Sequence, residues 1–175
     1  MIIRAATLDD AMCIAKVHVD CWRTTYKNCL PSEFLDKLSY NHKTESWIKN
    51  ISDNDHYVFV AENSEGKIVG FADGGKRYTN KIKCSGDLTS IYLLKKYQKM
   101  GVGKMLVNKL FETFNRLGYK TIFVEVLEDN DSRFFYEALG AQLLESKKIN
   151  IAGVELNLLI YRWEDIRTVF FHLKQ

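Results

Sequence analysis

A strand-to-helix junction built on two glycines constrains this chain more than any other stretch. Leu88-Thr89-Ser90-Ile91-Tyr92-Leu93-Leu94 is rich in β-branched, aromatic and aliphatic residues, which predicts a strand. Val102, Leu106, Leu110, Phe114 and Leu117 then recur at helical spacing, and Gly118 is a natural C-cap. Between the two lies Tyr97-Gln98-Lys99-Met100-Gly101-Val102-Gly103-Lys104. A strand that turns through glycines into a helix leaves backbone N–H groups unpaired at the positive end of the helix dipole. That arrangement is an anion site, and glycine lets the backbone come close to a phosphate.

Three phosphate-binding patterns compete for this loop. A Walker-type loop matches at Gly103-Lys104, but Gln98 stands where its first glycine belongs and Met105 where its Ser/Thr belongs. A dinucleotide fingerprint matches at Gly101 and Gly103, with Glu125 at a tempting distance, but its third glycine position holds Leu106. Gln/Arg-x-x-Gly-x-Gly/Ala matches in full at Gln98, Gly101 and Gly103. Lys95, Lys96, Lys99 and Lys104 flank the loop, and Lys81 and Lys83 precede the strand. Such a local field favours a ligand with several phosphates, although any one of these lysines can equally be a solvated surface residue.

The rest of the chain reads as alternating strands and helices. Ile2 to Arg4 suggests a first strand, and Thr7 or Asp9 can cap a helix to about Trp22 with Ala11, Ile14, Ala15 and His18 on one face. A short helix follows Pro31, placed at a first helical position, and a third covers Asn41–Asn50. Tyr57–Glu62 and Lys67–Ala72 form a hairpin around Asn63-Ser64-Glu65-Gly66, and Asp73–Ser85 reads as a loop. After the Asp87–Leu94 strand and the Val102–Leu117 helix come a buried strand at Thr121–Val126 and a short helix at Asn130–Leu139. Gln142–Ile149 and Val154–Arg162 make a last hairpin, followed by an amphipathic tail with Trp163, Ile166, Phe170 and Leu173 on one side. The order predicts a single domain over residues 1–175, in the α/β (α+β) class: one mixed sheet of about seven strands with helices on both faces.

The glycine loop between strand and helix resembles the central motif of the GNAT superfamily of N-acyltransferases. A second stretch, Asn130-Asp131-Ser132-Arg133-Phe134-Phe135-Tyr136-Glu137-Ala138-Leu139-Gly140-Ala141, is similar to that superfamily's motif after the fifth strand. The element order resembles it over nearly the whole chain. Lys95 stands where the family often has Pro, and Asp87 where it often has Glu.

The resemblance implies acetyl-CoA as co-substrate; no metal is expected, because His18, His42, His56 and His172 are scattered and no histidine and cysteine spacing resembles a metal site. It implies that Gln98, Lys99, Met100, Gly101, Val102, Gly103 and Lys104 cradle its pyrophosphate. The pantetheine arm then lies along the backbone of Ile91, Tyr92 and Leu93, and a backbone N–H of the Ile91–Leu94 segment meets the thioester oxygen. Asn130 corresponds to the residue that bonds the pantetheine, and Arg133 can face the phosphates. Their alternatives are a helix N-cap for Asn130 and an i,i+4 pair with Glu137 for Arg133. Tyr136 corresponds to the acid that protonates the leaving thiolate; periodicity alone would make it a buried aromatic. Asp87 is the candidate base, or else a solvated residue opening its strand.

His18, Trp22 and Tyr26 follow at four-residue spacing and share a helical face, as aromatic walls for an amine acceptor or as core. The acceptor is then a primary amine of a small molecule or peptide, attacking directly in a ternary complex. The same fold could instead serve as a non-catalytic CoA-binding module. A net charge of +3 is too weak to imply nucleic acid. No apolar run approaches membrane-spanning length. Cys13, Cys21, Cys29 and Cys84 show neither disulfide nor metal spacing, and with no signal peptide a cytoplasmic protein is expected. The apolar stripe of the tail could mediate a homodimer.

Overall fold

The computed structural model describes residues 1–78 and 82–169. Among them run β1 (Ile2–Ala5), α1 (Ala11–Thr25), α2 (Ser32–Asp36), α3 (Tyr40–Ser52), β2 (His56–Glu62), β3 (Ile68–Lys76), β4 (Ser85–Leu93), α4 (Val102–Arg116), β5 (Thr121–Leu127), α5 (Ser132–Ala138), β6 (Gln142–Ile151) and β7 (Val154–Trp163). The seven strands form one sheet in the order β1-β2-β3-β4-β5-β7-β6. Every neighbouring pair is antiparallel except β4 and β5. A parallel pair needs a crossover, and α4 supplies it.

Each helix covers the sheet with its apolar stripe. Ala11, Ile14, Ala15 and Val17 of α1 and Trp47 of α3 pack on Val58, Val60 and Phe71. Val102, Leu106, Val107, Leu110, Phe111 and Phe114 of α4 pack on the opposite face, against Leu88, Ile122, Val124 and Val126. Phe111 is fully buried, with its ring edge-on to Trp163 at 5.1 Å. Truncating it removes a large apolar surface from a site that cannot collapse. Phe111→Ala is therefore expected to cost about 3–5 kcal/mol in urea denaturation. A loss below about 1 kcal/mol would show that α4 is not the core helix of this face.

The central pairing fixes the shape of the site. β4 and β5 are hydrogen-bonded only over Ser85–Asp87 and Thr121–Phe123. Beyond that, β4 stays with β3 as far as Leu93, and β5 stays with β7 as far as Leu127. A wedge-shaped gap therefore opens between them, edged by strand backbone that no neighbouring strand pairs. Thr89 is an extra residue in β4, because Ser90 faces Asp73 while Leu88 faces Gly74. Such a bulge re-aims the residues beside it.

Several sequence expectations are corrected. Asp73–Lys76 is not loop but the end of β3. Gly74 and Gly75 are there for close approach: a Cβ would stand 2.0 Å from the Asp87 carbonyl oxygen and 2.1 Å from that of Asp55. Pro31 precedes α2 in extended geometry, with ψ 135°, rather than opening it. α1 runs three residues past Trp22. Trp163 closes β7 and Ile166 sits in a 3-10 turn, both buried, so they belong to the core of this domain rather than to a free stripe. Phe170, Leu173 and Lys81 lie outside the described residues. No helix among the described residues is long and apolar enough to cross a membrane.

Candidate active site

The glycine loop sits at the open end of the gap. Gln98 donates from Nε2 to the Leu93 carbonyl oxygen at 2.9 Å, tying the loop back to the last residue of β4. Lys99 and Gly101 both take left-handed backbone, φ 60° and 81°. Nothing lies within 4 Å of a Cβ built on Gly101, so its conformation and not crowding demands glycine. A Cβ on Gly103 would make ordinary contact with Phe135 at 3.4 Å. No side chain caps α4; its first backbone bond is Met105 N–H to the Gly101 carbonyl at 3.1 Å. The N–H groups of Val102, Gly103 and Lys104 are thus free of helix partners. Met100 is exposed beside them.

Across the gap, α5 carries Tyr136, 4% exposed. Its ring lies edge-on to Phe135 and Trp163, at 5.7 and 6.1 Å. Among the described residues its hydroxyl makes no hydrogen bond. Burial, and then the Tyr26 hydroxyl, raise the phenol above its ordinary range, so it stays protonated at neutral pH. Asn130, buried, accepts from the Ser132 backbone N–H at 2.9 Å and donates from Nδ2 to the Tyr26 hydroxyl at 3.1 Å. It does the work of a cap and also ties α5 to α1. Arg133 takes its local option, with its guanidinium 3.9 Å from Glu137 and over the Phe134 ring at 4.1 Å.

The aromatic face of α1 is deeper than an open wall. Trp22 lies edge-on to Tyr26 at 4.8 Å, and His18 packs among Trp47, Phe71 and Tyr92 at 5.2–5.8 Å. Burial, with Lys43 adding a little, pushes the His18 imidazole down to about 3, so it is neutral. The Tyr26 hydroxyl meets that of Tyr92 at 3.4 Å. Burial raises both phenols. Tyr26 is buried, while His18 and Trp22 are half-buried, and an opening lies just past Tyr26 at the end of α1. That opening is a groove lined by Thr25, Asn28, Cys29, Asp129, Val154 and Leu156.

Asp87 stands where the gap begins, with its side chain 27% exposed. Arg77, from the end of the β3 segment, bonds it and reaches Glu125 of β5 at 3.6 Å. The same guanidinium lies over the Phe123 ring at 4.4 Å. Burial raises the Asp87 carboxyl, Arg77 opposes the rise, and Glu125 adds to it. Sequence reasoning missed Arg77 and weighed Glu125 only as the acidic residue of a dinucleotide pattern, because their meeting depends on strand register. No group of three or more His, Cys, Asp or Glu among the described residues could hold a metal ion.

Comparisons with known proteins address the family and the fold. Residues 18–141 match the acetyltransferase (GNAT) family. The chain is 36% identical over 164 residues to the uncharacterized N-acetyltransferase YuaI of Bacillus subtilis (strain 168), covering 94% of this chain and 93% of the relative. The fold superposes on a ribosomal-protein-alanine N-acetyltransferase from Brucella melitensis with a TM-score of 0.75 at 22% identity, over 94% of this chain and 99% of the other. It also superposes on YncA from Salmonella typhimurium, a putative acetyltransferase solved with acetyl-CoA, at TM-score 0.73 and 18% identity, over 94% and 93%. With the family match over residues 18–141 and a relative 36% identical along 94% of the chain, this protein belongs to the GNAT family of acetyltransferases.

Proposed function

We propose that this chain moves the acetyl group of acetyl-CoA to a primary amine of a small molecule or peptide, by direct attack in a ternary complex. The observation that carries the reading is the gap between β4 and β5, closed at Asp87 and Phe123 and open toward the glycine loop. An extended pantetheine arm fits such a gap as a short additional strand, hydrogen-bonded by the backbone of Ile91, Tyr92 and Leu93. The N–H groups of Val102, Gly103 and Lys104, with the lysines around them, then face the pyrophosphate.

The chemistry follows from proton accounting. An ammonium that becomes an amide loses two protons; one ends on the CoA sulfur and the other in solvent. Asp87 takes the first, freeing the nitrogen lone pair. Attack on the thioester carbon puts charge on its oxygen, which a backbone N–H of the β4 segment stabilises. The C–S bond then breaks, and the Tyr136 hydroxyl gives its proton to the sulfur. The groove beside Tyr26 is where the acceptor enters, and its Asp129 favours a cationic group. A protein N-terminus is included, in line with the ribosomal-protein-alanine enzyme that shares the fold. The non-catalytic alternative is disfavoured by the Tyr136 hydroxyl, which makes no hydrogen bond within the described residues and so is available to a ligand.

Calorimetry with acetyl-CoA, NAD and ATP tests the cofactor. A thiol-release assay with an alanine-initiated peptide, a polyamine and a simple alkylamine tests the reaction. Binding of acetyl-CoA alone, with thiol release on at least one amine, is expected. Preference for NAD or ATP would overturn the loop assignment.

A further inference from the structure

Asp73 is a charged side chain in an unexpected place. It sits in β3, two residues after core Phe71, and is 1% exposed. Its Oδ1 accepts the hydroxyl of Ser90, from β4. Its Oδ2 meets Nε2 of His56, from β2, at 2.7 Å. The string therefore crosses three adjacent strands, on the sheet face that α1 and α3 cover. Its two ends differ. Ser90 follows the β4 bulge and directly precedes Ile91, at the edge of the gap and partly exposed. His56 has its side chain 18% exposed.

A buried carboxylate is a poor way merely to hold three strands together. Apolar residues of similar volume would do as well, without the desolvation cost. A string with one end at the reacting centre, an acid in the middle and the other end at the surface has the layout of a proton path.

We propose that Ser90, Asp73 and His56 are the outlet for the second proton of the acceptor nitrogen. The inference rests on the acetyl-transfer reading. As the new C–N bond forms, that nitrogen is positively charged and must lose a proton before the amide is complete. Ser90 Oγ takes it and passes its own proton to Asp73 Oδ1, so the serine ends unchanged and the carboxylate ends neutral. His56 connects the loaded carboxyl to solvent, where the proton leaves; Tyr136 recovers from solvent the proton it gave to sulfur. Asp87 and Asp73 thus serve different protons of the same nitrogen. Ser90 is the residue that touches the substrate, while Asp73 and His56 act through it.

The test is single-turnover acetyl transfer with the panel amine that wild type acetylates fastest. Ser90→Ala is expected to slow transfer by about tenfold or more, the low end of the range for a missing proton-transfer group. Acetyl-CoA affinity should be unchanged, while the melting temperature should fall by a few degrees because Asp73 Oδ1 loses its partner; the rate is therefore read at a temperature where both proteins are folded. Ser90→Thr keeps the hydroxyl and should restore most of the rate. In mixtures of light and heavy water, the wild-type rate should curve with deuterium fraction, because two protons move together. The Ser90→Ala rate should be linear. His56→Gln, at the far end, should slow transfer less and spare acetyl-CoA binding. A Ser90→Ala enzyme with the wild-type rate and the same curvature would overturn the outlet while leaving acetyl transfer intact. A wild-type protein that neither binds acetyl-CoA nor releases thiol would overturn both.

Discussion

Replacing Tyr136 by Phe should lower kcat by about 10²–10⁴-fold and leave acetyl-CoA binding and folding stability where they were. The expectation follows from what the hydroxyl does and does not touch. Among the described residues it has no hydrogen-bond partner, while the ring is held by Phe135 and Trp163. Removing a hydroxyl on which no other group of the protein depends strands nothing and is close to neutral for folding. Burial makes the phenol a weaker acid than in water, but the thiolate forming beside it loses water too, and its basicity rises with the same desolvation. Proton transfer between two desolvated partners therefore stays near balance. Steady-state kinetics, acetyl-CoA calorimetry and a denaturant melt on the same preparation separate the possibilities. Undiminished turnover would remove Tyr136 from the chemistry. A lost melting transition would return it to the core, the role that helical periodicity alone suggests.

What could be read from the sequence follows the range of the forces involved. The junction from β4 through Gln98, Gly101 and Gly103 into α4 was legible almost to the residue, because turn chemistry and apolar spacing are local signals. α5 was legible for the same reason, with Asn130 capping two residues ahead of it. The stretch from Asp73 to Lys76 was not. Gly74 and Gly75 look like loop residues in one dimension and become strand only when β4 and the Asp55 turn lie against them. The face of His18, Trp22 and Tyr26 was correctly grouped, but what it covers depends on Phe71 and Tyr92, which come from other strands. Polar residues suffered most. Arg77 meets Asp87 and Glu125, and Asp73 meets His56 and Ser90, only through register across the sheet. No spacing along the chain announces such a meeting.

The second large effect concerns Asp87 and is best seen against pH. In the wild type, kcat/KM should fall as pH drops through the Asp87 carboxyl. That limb lies above the ordinary carboxylate range, because burial raises the group more than Arg77 lowers it. Asp87→Asn keeps the shape and leaves Arg77 its contact with Glu125, so the gap should survive. What is lost is the acceptor for the first proton, and the enzyme must then wait for amine that is already neutral. At neutral pH the cost should be about 10²-fold. As pH rises, log kcat/KM of the variant should climb with unit slope toward the pKa of the acceptor itself. That is roughly 8 for a peptide N-terminus or about 10.4 for a lysine-like amine. The two profiles should converge there, because the solution then does what Asp87 did. The rescue is specific to a base, since a variant damaged in packing does not recover with alkali. Glu125→Gln is the control that locates the base. It leaves Asp87 in place with Arg77, so its profile should keep the wild-type shape. If the Glu125 variant shows the alkaline rescue and the Asp87 variant does not, the base is the β5 carboxylate, and Asp87 serves to hold Arg77.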